Sequence, residues 1–333
     1  MRRLLAVILA LLLPVAAVAC SSAPETTSAA GLAKPLTKIQ VGYMPIPDVA
    51  PLFIAREAGY FRLEGLDVEP IMVQGGGPGA DLLEAGTLQF SIMNYTSAVY
   101  AEAAKPGELK IVADCYQSTP NSFKIMVAAG SPITSLQQLK GKHISVITLA
   151  SVGTLTLKNA LAVAGLTIDD VEVSQAPLPD MLQKLKSGII DAAWMAEPYV
   201  TLAGETIGAK GLYDPMSNRT ADWPVAGWAA SSKYIEKNPD IIRRWNRAMA
   251  RAQRDAASDG MAVRRILRSY TKIEPRTAAT ITLGVYPTSL NAARIQRVAD
   301  LMYEFRDIKK PVDVRSFLEQ LPVPVPTPAE PTS

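Results

Sequence analysis

The chain is poor in the residues that build covalent and metal-held frameworks: 333 residues contain two cysteines, Cys20 and Cys115, and one histidine, His143. With Cys20 at the end of an N-terminal apolar segment, only Cys115 remains for the body, which excludes an intrachain disulfide. A Cys/His metal cluster is excluded for the same reason, and no loop of the D-x-D-x-D-G kind is present. Charge of one sign is also scarce. The net charge is +3, and Arg2 and Arg3 supply two of those charges, so the body is too balanced to imply a nucleic-acid partner. Arg243, Arg244, Arg247, Arg251 and Arg254 lie opposite an apolar stripe of Ile241, Ile242, Trp245, Met249 and Ala252 at helical spacing, which reads as a solvated helix face. Neither a Ser/His nor a Cys/His pair is visible, so no catalytic residue and no cofactor are expected.

What is present begins with an export signal. Arg2 and Arg3 form a positive start, Leu4 to Leu13 an apolar core, and Ala17-Val18-Ala19-Cys20 a small-residue end. A membrane span needs about 20 apolar residues, and Pro14 interrupts this run. The segment resembles lipoprotein signals, and the resemblance implies that residues 1–19 are removed and that Cys20 carries the lipid. Residues 20–37 are small and polar, as suits a tether. At the other end, residues 322–333 carry alternating prolines, a composition that favours extended polyproline II. The folded unit is therefore expected within residues 38–321.

Strand and helix signals alternate through that unit. Strands are read at Ile39 to Tyr43, Leu66 to Val73, Phe90 to Met93 and Leu109 to Cys115, with helices from Pro47-Asp48, over Ala80 to Glu84 and over Thr96 to Ala104. Such alternation predicts a mostly parallel α/β sheet covered on both faces. After Phe123 to Ala128 the cycle restarts: strands at His143 to Ile147, Val171 to Val173 and Asp191 to Trp194, helices at Gly153 to Ala164, Pro179 to Ser187 and Glu197 to Ala203. From Asn238 onward the pattern is helical, with Asn238 and Asn291 as caps. These helices need a sheet to cover. The expected arrangement is a first lobe of residues 38–123 plus 229–321 and an inserted second lobe of 124–228, joined by two crossovers that act as a hinge. Ligands of open α/β sheets bind beyond the carboxyl ends of the strands, so the cleft is the expected site.

Five pieces in order carry a family resemblance: VGYMPIPDVAPLFIAREAGYFRLEGLDVEP at 41–70, QGGGPGADLLEAGTLQFSI at 74–92, AAGSPITSLQQLKGKHISV at 128–146, LAVAGLTIDDVEV at 161–173 and KLKSGIIDAAWMAEPYV at 184–200. The chain resembles the substrate-binding proteins of the alkanesulfonate, taurine, nitrate and thiamine-pyrimidine group, the SsuA/THI5-like or NMT1-like family. The resemblance implies a two-lobe type II periplasmic-binding fold. It also implies a role in nutrient uptake; with the lipoprotein-like signal, the expectation is an exported, lipid-anchored, monomeric protein that captures a small molecule by lobe closure and delivers it to an ABC permease. The alternatives are a pyrimidine-processing enzyme of the same family and the sensing module of a membrane receptor. The enzyme branch uses a histidine of its own and a cysteine-rich signature; here His143 sits in a Leu-Lys-Gly-Lys-His turn and Cys115 stands alone.

Candidate ligand contacts are the polar and aromatic residues after the strands. Pro47 and Asp48 follow the first strand and also suit a helix start. Gly76 and Gly77, in the run 75–79, can bring N–H groups close to an oxyanion. The same run is a weak dinucleotide fingerprint, but no acidic residue ends the next strand. Asn94, Tyr95 and Thr96 follow the third strand. Thr148, Ser151 and Thr154 open a helix in the second lobe, where they suit sulfonate, nitrate or carboxylate or serve as simple caps. Trp194 with Glu197 suits a flat amino-bearing ring, and Trp223 beside the second crossover is a further cleft candidate. Glycine, serine and threonine favour an anion; Asp48, Glu197 and the aromatics favour an amino-bearing ligand.

Overall fold

The computed structural model describes residues 35–319. The expected signal, Cys20, most of the tether and the proline-rich tail lie outside the described residues. Thr37, expected at the tether's end, already pairs with Leu66.

The chain runs β1 (Thr37–Tyr43), α1 (Ala50–Glu57), α2 (Tyr60–Leu63), β2 (Leu66–Met72), α3 (Gly76–Glu84), β3 (Phe90–Asn94), α4 (Tyr95–Ala104) and β4 (Leu109–Gln117). It continues with β5 (Phe123–Val127), β6 (His143–Val146), α5 (Val152–Val163), β7 (Glu172–Gln175), α6 (Leu178–Lys186), β8 (Ala192–Ala196), α7 (Tyr199–Ile207) and β9 (Lys210–Tyr213). It closes with β10 (Pro224–Ser231), α8 (Ser232–Lys237), α9 (Pro239–Ser258), α10 (Gly260–Tyr270), α11 (Pro275–Thr280) and α12 (Ala292–Glu304). Two five-stranded sheets result, ordered β2-β1-β3-β10-β4 and β7-β6-β8-β5-β9. In each, three strands run parallel and one inserted strand, β10 or β5, runs antiparallel to its neighbours. The repeated topology makes two lobes of one architecture.

The C-terminal helices return to the first sheet because α9 buries an apolar stripe there. Trp245 stacks on Phe90 at 4.1 Å and on Phe61 at 5.1 Å, and Trp228 meets it edge-on. The opposite face holds the arginines: Arg244 pairs with Asp240, Arg247 with Glu64, and Arg251 lies over Tyr60. Asn291 caps α12 by accepting from Arg294 N–H. Asn238, expected to cap α9, instead donates to the Tyr234 carbonyl at the end of α8.

The second crossover precedes β10 and does not include it. β10 pairs with β3 and β4 from Pro224 onward, so residue 228 lies inside a strand of the first sheet. The connections between sheets are residues 118–122 and 214–223, and they are tied to each other. Ser118 N–H donates to the Trp223 carbonyl, and Trp223 N–H donates to Ser118 Oγ, both at 2.9 Å. Segment 281–285 adds a third seam, where the Leu283 carbonyl accepts from Thr119 Oγ1.

Candidate functional site

Carboxyl ends of strands from both sheets converge on a cavity of about 50 Å³. Its walls come from Met44, Ile46 and Asp48 after β1, Gly75 and Gly76 after β2, and Ile92 and Asn94 on β3. The second lobe supplies Phe123, Ile147, Thr148, Ser151, Val152, Trp194 and Ala196, while Val225 and Ala226 of β10 close the floor. Met44, Ile46 and Ile147 also border an outer chamber of about 280 Å³. A larger groove of about 430 Å³ lies on the first lobe alone, so it has no part in closure.

The lobes meet over this cavity. Ser97 Oγ on α4 donates to the Ala150 carbonyl of the second lobe at 2.8 Å. Gly75 packs against Thr148 so closely that an added Cβ lies 3.0 Å from its methyl group. Its backbone, at φ 156° and ψ −178°, is in a region essentially reserved for glycine. Two ion pairs also tie the segments together: Lys158 of α5 with Asp307, and Arg219 with Glu304. The lobes are in contact across the cavity. A neutral hydrogen bond contributes about 1 kcal/mol, so Ser97→Ala is expected to weaken ligand affinity by roughly five-fold. Titration calorimetry beside urea unfolding checks this; a loss of folding stability with unchanged affinity contradicts the assignment.

Three helices start at the cavity. The Asn94 side chain accepts from Ser97 N–H and caps α4. By contrast, α3 and α5 have no side-chain cap, leaving their first N–H groups open to a ligand acceptor. Ser151 Oγ is turned to the Thr148 carbonyl. On the opposite side lies Asp48, 2% exposed. Burial pushes its carboxyl up to about 7, opposed only by its own backbone N–H. Among the described residues, no lysine, arginine or histidine lines the cavity. Trp194 is held rigidly: Nε1 donates to Thr156 Oγ1 at 3.0 Å, the ring meets Phe123, and Gly153 lets α5 approach it.

Of the candidate residues, Asp48, Gly76, Asn94, Thr148, Ser151 and Trp194 stand at the cavity wall. The others do not. Pro47 offers its carbonyl to Tyr286, Gly77 faces solvent, and Thr154 Oγ1 turns to the Thr148 carbonyl. Tyr95 is buried and donates to Asp114, and Thr96 is buried with its hydroxyl unpartnered. Glu197 is occupied by Thr201 N–H and Oγ1 and by Thr282 N–H, which makes it a cap for α7 and a tie to the third seam. Trp223 belongs to the hinge, packed under the Arg297 guanidinium at 5.4 Å. The wall residues missing from the sequence reading are apolar: Met44, Ile46, Ile92, Phe123, Ile147, Val152, Ala196, Val225 and Ala226. At strand ends such residues carry the same signal as core.

Two like lobes on a double crossover, closed over a cavity at their strand ends, define the periplasmic-binding-protein fold. The chain belongs to the NMT1/THI5-like family, which it matches over residues 46–260. It is 27% identical over 259 residues to a putative aliphatic sulfonates-binding protein of Escherichia coli K12, covering 73% of this chain and 77% of that one. It is 24% identical over 259 residues to the nitrate/nitrite binding protein NrtA of Nostoc sp. PCC 7120, covering 72% of this chain and 57% of that protein. The chain therefore spans little more than half of the nitrate relative. The alkanesulfonate-binding protein SsuA of Xanthomonas axonopodis pv. citri, bound to MOPS, superposes with a TM-score of 0.71 at 19% identity, over 86% of this chain and 99% of that one. The desulfurization enzyme DszB shares the fold at a TM-score of 0.64 and 16% identity, over 85% of this chain and 96% of that one.

Proposed function

We propose that the chain is the extracytoplasmic solute-binding component of an ABC importer, anchored by lipid on Cys20, and that it captures a small organic nutrient or oxyanion by lobe closure. The observation that carries the reading is the shared cavity: one small space whose walls come from both sheets, so a ligand there touches both lobes only when they are closed. Differential contact of that kind is what shifts an open–closed equilibrium. The relatives named as sulfonate- and nitrate-binding proteins support the same reading. No described helix is long and apolar enough to cross a membrane.

Binding without catalysis is the reading that the chemistry at the wall supports. Cys115 lies outside the cavity lining, and its Sγ donates to the Asp48 carbonyl while burial raises its pKa well above the ordinary thiol value. His143 is on β6 beside Ser174. Neither makes a nucleophile–base pair at the cavity. The solute is handed on unchanged, and the closed monomer is the form the permease recognises.

Thermal unfolding of the full chain against nitrate, taurine, alkanesulfonates, carboxylates, aminopyrimidines and riboflavin tests this. A true ligand at about 100 times its Kd adds roughly 2.7 kcal/mol, which is a midpoint shift on the order of several degrees at this size. No shift with any of these compounds contradicts the reading. Cys20→Ser is expected to release the protein from membranes, and retention there contradicts the anchor.

A further inference from the structure

We infer that the ion pair of Lys158 and Asp307, which lies outside the cavity lining, holds a share of the solute-free chains with their lobes joined and thereby sets how tightly a solute is bound. The inference goes beyond the solute-binding reading, because it concerns the lobes before any solute arrives.

Lys158 belongs to the second lobe, on α5, roughly two helical turns beyond Ser151 at the cavity wall. The helix carries that distance as a stiff rod, so an anchor at Lys158 fixes where the cavity end of α5 stands. Asp307 belongs to the first lobe and is placed by the end of α12. There Arg306, at φ 58°, takes the left-handed conformation that favours glycine, and Asp307 N–H closes the turn on the Met302 carbonyl at 2.8 Å. A non-glycine residue in that region is costly and persists where its surroundings over-determine it. The turn delivers the Asp307 carboxylate to α5. Tyr100 of α4 faces the same carboxylate; burial and the Asp307 charge both raise its phenol, which keeps the hydroxyl neutral beside the pair.

Burial decides what the pair does. The Lys158 and Asp307 side chains are 17% and 7% exposed, against 56% and 54% for Arg219 and Glu304. Water and salt screen the exposed pair, so it contributes little. A buried pair is worth little more than a well-packed apolar contact, but loss of one partner strands the other charge away from water. Stranding of Asp307 lasts only while the lobes are joined, because the carboxylate regains water when they part. Removal of Lys158 therefore penalises the joined state selectively, and apolar replacement of both residues lifts the penalty. A solute that needs both lobes gains affinity in proportion to the share already joined.

The test is double electron–electron resonance on the full chain in detergent without solute, with nitroxide labels on cysteines introduced at the exposed Asp81 of α3 and Lys186 of α6. Native Cys115 is buried. The otherwise unaltered chain is expected to show a short-distance population beside a longer one. Lys158→Met is expected to lower the ratio of short to long by about ten-fold or more, and Lys158→Met with Asp307→Leu to restore it. Asp307→Asn is expected to lower it less, because Lys158 is the more accessible partner and its ammonium can reach water. Arg219→Ala is expected to leave the ratio within about two-fold. No short population in the unaltered chain, an unchanged ratio in Lys158→Met, or a double variant as open as the single overturns the inference. If urea unfolding shows that Lys158→Met does not fold, Asp307→Asn and the double variant carry the same comparison. None of these measurements uses a solute, so the solute-binding reading stands whichever way they fall.

Discussion

Asp48→Asn is expected to stabilise the ligand-free protein at pH 8 by about 2–4 kcal/mol and to leave it unchanged near pH 4. Burial raises the folded-state pKa from 3.8 to about 7. Between those values the folded chain keeps a proton that the unfolded chain has lost. The contribution to stability is therefore fully present below pH 3.8 and is lost as pH rises through 7. The complete gap corresponds to about 4 kcal/mol, an upper figure because the carboxylate borders a space that water can enter. Asparagine cannot ionise and escapes the loss. Urea unfolding at both pH values checks this; destabilisation at pH 8, or an equal effect at both, shows that Asp48 is paired in the folded state.

Arg294→Met is expected to cost about 3–5 kcal/mol at pH 8, the larger effect of the two. Asp114 on β4 is buried between Tyr95, which donates to Oδ1 at 2.8 Å, and Arg294 of α12, whose guanidinium pairs with Oδ2 and also reaches Gln117 Oε1 at 3.0 Å. Burial still lifts the Asp114 carboxyl to about 6, with Arg294 the largest opposing influence. Without the guanidinium the carboxylate is an uncompensated buried charge. Because protonation removes that charge, the defect is expected to shrink toward pH 5, and Asp114→Asn in the same chain to recover most of the loss. Unfolding free energies of both single variants and the double variant form the cycle. Additive losses, or a defect independent of pH, contradict the pairing.

The network also explains why Tyr95 was a poor candidate for ligand contact, although it follows β3 directly. A tyrosine after a strand reads alike whether its hydroxyl meets solvent, solute or a carboxylate that is distant in sequence, and Asp114 is 19 residues away. Glu197 misleads in the same way. Its partners are Thr201, one helical turn on, and Thr282 from a different part of the chain. Trp223 sits in a polar stretch but is buried by the two crossovers and Arg297, a neighbour only in three dimensions. The alternation of elements, by contrast, is a local property, and strands β1 to β8 are legible from it. Run 75–79 reads as a loop because of its glycines; the structure winds residues from Gly76 into α3, with Gly75 in the extended turn before it. The short edge strand β9 has no periodic signal and escaped notice.

Asp48 shows how far polarity alone can be read. Its type and place after the first strand were sufficient to nominate it, yet the same letters describe an ordinary helix cap. What packing adds is that, among the described residues, no donor other than its own amide opposes the rise of the Asp48 carboxyl.

The account rests on capture of an unaltered solute between closing lobes, and small-angle scattering of the full chain in detergent, with and without the best-binding compound, tests it most directly when the compound is afterwards recovered and identified. A smaller radius of gyration, saturation at one molecule per chain and chemically unchanged ligand are the predicted result. An unchanged radius on saturation, or recovery of a converted product, contradicts it.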